Sequence, residues 1–182
     1  MKVLKIVVAI PFLFLAVTAE AAPKFTNRVG YDVIDLETEV PVRRTESRKS
    51  VDPITVAKKY EGMHAYKDRA TLKSLMDIDP ATVAWCAGFV NAILEKAGLT
   101  GTDSLQARSF LNWGTATKTP KEGDVVIFTR GRSREAGHVG FYVGEEVVDG
   151  VRYILVLGGN QRKAVNVAYY PAQHVLGYRK IG

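Results

Sequence analysis

Residues 83–98 read VAWCAGFVNAILEKAG. Within them Cys86, Phe89, Val90, Ile93, Leu94 and Ala97 recur at steps of three and four, the spacing of one face of an α-helix, and Gly98 supplies a C-terminal stop. This pattern predicts a buried central helix over about 83–97, with the chain's single cysteine in its first turn. At that end unpaired backbone N–H groups and the positive end of the helix dipole stabilise a thiolate. The same groups can donate to the oxyanion that forms when a thiolate attacks an amide carbonyl. Cys86 also lies on the apolar stripe, where a cysteine packs as a small hydrophobe. Position alone leaves both readings open.

Towards the N-terminus, Asp52-Pro53 pairs a capping aspartate with a proline suited to the first helical position, and predicts a helix to about Tyr60. Ala70, Leu72, Leu75 and Met76 predict a second helix that ends before Asp79-Pro80. Beyond the central helix, Asp103 with Gln106 three residues on resembles a capping box, so a short fourth helix is expected, ending at Trp113-Gly114. After Pro120 the grammar changes. Gly123-Asp124 reads as a turn, and 124–129, 138–143, 151–157, 164–169 and 175–180 read as strands. Helices followed by strands indicate an α+β fold in which an antiparallel sheet packs on the helices.

The chain has 182 residues, the size of one domain with an export segment. Lys2 and Lys5 precede an apolar run from Ile6 to Thr18, followed by the small-x-small pattern Ala19-Glu20-Ala21. Residues 1–21 therefore read as a secretory signal peptide, since a spanning helix needs about 20 apolar residues and this run is shorter and interrupted by Pro11. Residues 22–50 mix six basic with five acidic residues and two prolines, and read as a flexible leader or linker, with some strand-like alternation at Tyr31 to Leu36. The folded domain is expected over 51–182. The formal charge of +6 becomes +5 once Lys2, Lys5 and Glu20 leave with the signal. That balance favours anionic partners such as cell-wall polymers. Export, and the lack of aromatic residues interleaved among the charges, argue against nucleic acid. Membrane association is expected only through the export signal, and localisation is periplasmic or extracellular.

Exported proteins usually pair their thiols or lack them. A lone Cys86 permits no intramolecular disulfide, which turns attention to a base that could serve it. Three histidines exist: His64, His138 and His174. His138 opens the strand HVGFYV after the loop 130–137, and alternation sends His138, Gly140 and Tyr142 to one face and Val139, Phe141 and Val143 to the other. A histidine at a strand start beside glycines suits a cleft wall. His64 falls in a helix–helix turn and His174 begins the last strand, where imidazoles are usually exposed or merely packed. Asn160, after the strand 153–157 and Gly158-Gly159, is the candidate for a third group that orients the imidazole, although Gly-Gly-Asn-Gln also reads simply as a turn. The basic loop Arg130, Arg132 and Arg134 either is solvated or holds a carboxylate. No phosphate-cradling Gly-x-x-x-x-Gly-Lys, zinc-binding His-x-x-x-His or Gly-x-Ser-x-Gly elbow is present, so no cofactor or metal is called for.

Four segments in order, WCAGFVN (85–91), ARSFLNWG (107–114), GHVGFYVG (137–144) and VLGGNQ (156–161), resemble the NlpC-like and CHAP-like papain-fold peptidoglycan hydrolases, over about residues 52–182. The resemblance implies a helix carrying the cysteine packed on an antiparallel sheet carrying the histidine. It implies Cys86 as nucleophile, His138 as base and Asn160 as the orienting residue. It also implies cleavage of a peptidoglycan amide, either within the stem peptide or between muramic acid and alanine. Ala84 and Gly88 depart from the pattern, which often has proline and alanine there, and neither touches the three residues. The rival reading is a secreted binding module that keeps a degenerate version of the same fold with Cys86 merely buried.

Overall fold

A computed structural model describes residues 51–181; the expected signal peptide and the 22–50 leader lie outside the described residues. Asp52 caps the first helix, α1 (Pro53–Lys58), its Oδ1 accepting from the Ile54 N–H at 3.3 Å. Helix α2 (Arg69–Met76) ends on Asp77 in the left-handed conformation. The central helix, α3, is Cys86–Lys96, so it begins three residues later than the apolar spacing predicts and Cys86 is its first residue. A 3₁₀ helix, Ala107–Asn112, precedes six strands: β1 (Thr115–Thr117), β2 (Val125–Thr129), β3 (Gly137–Val148), β4 (Val151–Gln161), β5 (Ala164–Pro171) and β6 (Val175–Lys180). They form one antiparallel sheet in the order β1-β6-β2-β3-β4-β5. The fold is α+β, as the order of elements indicates.

The expected fourth helix does not start at Asp103. Asp103 has φ of +51°, whereas an N-cap needs extended backbone. The reason is Asn91 on α3, which accepts from the Thr102 N–H at 2.8 Å and donates to the Ser104 carbonyl at 2.9 Å. Its side chain takes the Ser104 carbonyl that a first helical turn would use and ties down Thr102 ahead of it, and only the 3₁₀ segment 107–112 follows. Arg108 on that segment then staples the loop before β3, donating to the carbonyls of Ala136 (3.0 Å) and Ser133 (3.1 Å).

Strand β2 reads VVIFT and is buried on both faces, with Val125 and Ile127 in one apolar cluster and Val126 and Phe128 in another. The first cluster joins α3 to the sheet through Trp85, Phe89, Val90, Ile93 and Leu94 against Val139, Phe141 and Leu157. The second covers the opposite face, where Ile154 and Val156 pack under Tyr142, Tyr170 and Tyr178. Gly159 is where β4 meets α3. A Cβ there would fall 2.5 Å from the Trp85 ring and 2.7 Å from Phe89 Cβ, so the close approach of strand to helix requires glycine.

Candidate functional site

Cys86 opens α3 and is 4 % exposed; the backbone N–H groups of Val139 on β3, of Ala87 and of Cys86 itself act on its sulfur and favour the thiolate. Trp85, the residue before it, offers no side-chain cap, so those helix amides stay available. His138 stands opposite Phe128 in the β2–β3 register and is 5 % exposed. Its ring stacks on Tyr170 of β5, with centroids 4.9 Å apart and planes 21° apart. Burial, and after it the charge of a Cys86 thiolate, pushes the Tyr170 phenol up to about 12. The structure therefore gathers Cys86 and His138 about Val139 and Tyr170, although no hydrogen bond joins thiol and imidazole among the described residues. His64 is placed elsewhere, its Nδ1 accepting from the Tyr66 N–H at 3.2 Å, and His174 lies in the 3₁₀ turn before β6.

Asn160 does not reach the imidazole. The atom 3.0 Å from His138 Nε2 is Oε1 of Gln161, the next residue. The cause is a β-bulge: Gly158 pairs with Asn166 and Gln161 with Ala164, so β4 spends three residue steps where β5 spends two. In an unbroken strand, residues 156, 158 and 160 would share the histidine's face, and a Cβ on Gly158 would indeed lie 3.5 Å from His138 Nε2. The extra residue, with Asn160 in left-handed backbone at φ +59°, transfers that face to Gln161. Double glycine followed by asparagine is a bulge signal in the sequence, but it does not say which neighbour the bulge promotes.

Gln161 is 4 % exposed and its amide cannot be turned around. Its Nε2 donates to the carbonyls of Val156 (3.2 Å) and Asn166, and to Asn166 Oδ1 (3.1 Å). Backbone carbonyls only accept, so the nitrogen must face them and Oε1 must face the ring. An oxygen that only accepts requires the proton on His138 Nε2, which leaves Nδ1 with a free lone pair.

Electrostatics keep the pair neutral at rest. Burial pushes the Cys86 thiol up, opposed by the three N–H groups and by Arg130, so the lowered thiol expected from the helix terminus is outweighed by desolvation. Burial also holds the imidazole down, to about 4 from the ordinary 6.5, with Gln161 opposing and the Arg130 charge assisting. Of the three loop arginines, Arg130 is the one whose charge acts on Cys86, His138 and Tyr170.

The buried imidazole has a consequence for stability. Between pH 6.5 and about 4 the unfolded chain holds a proton at His138 that the folded chain does not. Stability therefore falls as pH drops through that window, by about 3 kcal/mol in all. Urea midpoints against pH should show this slope in the wild type and lose it in His138→Gln; equal acid slopes in the two proteins would contradict it.

Residues 78–160 match the family model described as the CHAP domain. No curated protein matches the chain. CHAP domains are typically cysteine peptidase or amidase domains, with a function related to peptidoglycan. The match spans both the helix that begins with Cys86 and the strand that begins beside His138, and ends one residue before Gln161. Over residues 78–160, somewhat under half of its length, the chain is thus similar to the CHAP domain.

Proposed function

We propose that the protein is an exported cysteine hydrolase that cuts amide bonds in peptidoglycan, with Cys86 as nucleophile and His138 as base. One observation carries the reading: the lone thiol is buried at the first residue of α3, and Tyr170, which stacks on a buried imidazole whose Nε2 is tied to Gln161, feels the charge of that sulfur. The free nitrogen is thus the one left for chemistry.

The reaction starts from a neutral pair. As Sγ attacks the carbonyl carbon, its proton moves to His138 Nδ1, and the carbonyl oxygen becomes an oxyanion for which the amides at the start of α3 are available donors. Collapse of the tetrahedral intermediate breaks the C–N bond, and the imidazolium returns the proton to the leaving amine. Water, deprotonated by the same nitrogen, then cleaves the thioester and restores the thiol. The signal-like residues 1–21 support export, and the mature charge of +5 favours an anionic wall polymer.

Digestion of purified sacculi tests the reading, with products identified by mass. New amino termini within the stem identify an endopeptidase. Release of whole stem peptides from intact glycan identifies an N-acetylmuramoyl-L-alanine amidase. Absence of any soluble product overturns the proposal. A second reading, a secreted binding module with a merely buried cysteine, draws on the low exposure of both Cys86 and His138. It predicts that Cys86 in the folded protein alkylates no faster near neutral pH than in the denatured chain.

A further inference from the structure

We infer that Asn166 on β5 is a positioning residue, which holds the Gln161 amide in one orientation and thereby keeps the His138 proton on Nε2 and the base nitrogen Nδ1 free. The inference rests on His138 acting as the base. Without acceptors behind its nitrogen, Gln161 could offer the ring either end of its amide, and an inverted amide would donate to Nε2 and drive the proton onto Nδ1, leaving no base towards Cys86.

Asn166 adds two acceptors to the Val156 carbonyl in closing off that inversion. Its carbonyl and its Oδ1 both accept from Gln161 Nε2, and its own Nδ2 donates to the Gln161 carbonyl at 3.1 Å. Side chain and backbone of one residue thus clamp side chain and backbone of the other across the bulge. The bulge is what makes the clamp possible. Because Gly158 pairs with Asn166 before the register slips, Asn166 lies directly across from the point where β4 gains its extra residue, and its amide reaches the residue that the slip turns inward. The hairpin end that holds both is itself tied down. Val165, the residue before Asn166, exchanges backbone hydrogen bonds with Gly62 and Met63 at 2.8 Å each, and Lys163 accepts from the Ala65 N–H at 2.7 Å. A chain of fixed groups therefore runs from the 62–65 loop through Asn166 and Gln161 to the imidazole.

The tautomer can be read without any substrate. In ¹⁵N spectra of histidine-labelled protein near neutral pH, wild-type His138 should be protonated on Nε2 alone. Asn166→Ala removes Oδ1 and Nδ2 but leaves the backbone carbonyls of Val156 and Asn166; the loosened amide should show a mixture of tautomers, with kcat on soluble wall fragments down by up to about tenfold and KM little changed. Asn166→Asp keeps an oxygen that accepts from Gln161 Nε2, and should restore the single tautomer. Should Asn166→Ala lose the circular dichroism of the fold, Asn166→Leu, which fills the volume but lacks both Oδ1 and Nδ2, takes its place and should likewise release the tautomer. A wild type protonated on Nδ1, or a folded Asn166→Ala protein with wild-type tautomer and kcat, overturns the inference. If wild type digests no wall, the hydrolase reading fails while the spectra still decide the clamp.

Discussion

Cys86→Ala is expected to lower kcat/KM for wall-amide hydrolysis on the order of 10⁵-fold, the scale of loss when a covalent nucleophile is removed. Nothing else described at the site can replace it. The structure has one cysteine, His138 is neutral and buried, and no hydroxyl is hydrogen-bonded to the ring's free nitrogen among the described residues. Residual rate would come from substrate held against the amides of α3. The fold should survive, because alanine keeps the Cβ and removes one atom from a residue that already packs among Trp85, Ala87 and Val139, at a cost of about 1 kcal/mol. Cys86→Ser should be nearly as inactive. A serine hydroxyl holds its proton far more tightly than a thiol, and an imidazole held near 4 is a weak base to remove it. Initial rates on soluble wall fragments, with unfolding midpoints as the control for folding, check both variants. Activity of Cys86→Ala within tenfold of wild type would remove the nucleophile assignment.

Trp85→Ala is expected to cost about 4 kcal/mol of stability, and Trp85→Phe about 1 kcal/mol or less. Trp85 is fully buried, meets Phe89 edge-on with centroids 6.3 Å apart, and fills the space that the missing side chain of Gly159 leaves. Truncation to alanine opens a cavity between α3 and β4, where the close approach at Gly159 leaves no side chain on the strand to fill it. Phenylalanine keeps a ring there. It also removes the indole Nε1, which is buried without a hydrogen-bond partner among the described residues, so the lost volume is offset by relief of an unpaired donor. Since domains of this size are stable by roughly 5–15 kcal/mol, the alanine variant should be close to unfolding in mild denaturant. Urea titration of the three proteins separates the cases; equal midpoints for alanine and phenylalanine would show that the ring does not set the helix–strand distance. Cys86 follows Trp85 directly, so a folded alanine variant should also lose turnover, as the start of α3 drifts from Val139.

Much of this was legible in residue order. The apolar stripe of α3, the capping aspartate and proline of α1 and the run VVIF of β2 each carry their own period, and local period is what decides helix or strand. The face of β3 that presents His138 followed from alternation alone, with Val139 and Phe141 on the helix side and Tyr142 on the other. The length of β3 and β4 was written in Asp149-Gly150, both at positive φ, a two-residue hairpin turn that the strand reading stopped short of. Illegible was whatever a distant group decides. Asn91 turns a capping-box pattern at Asp103 into a loop, which no local rule at 103–106 reports.

The candidate site divides along the same line. Sequence by itself determined that one thiol lies in the first turn of a buried helix and that one histidine stands at the start of a strand, because both depend on short-range spacing. Tertiary structure alone decided that the ring's partner is Gln161 rather than Asn160, since a one-residue bulge inverts every side chain after it and is set by pairing with β5. It alone decided, too, that thiol and imidazole rest neutral: the helix terminus is a local feature, but the desolvation that overrides it comes from the sheet closing over Cys86.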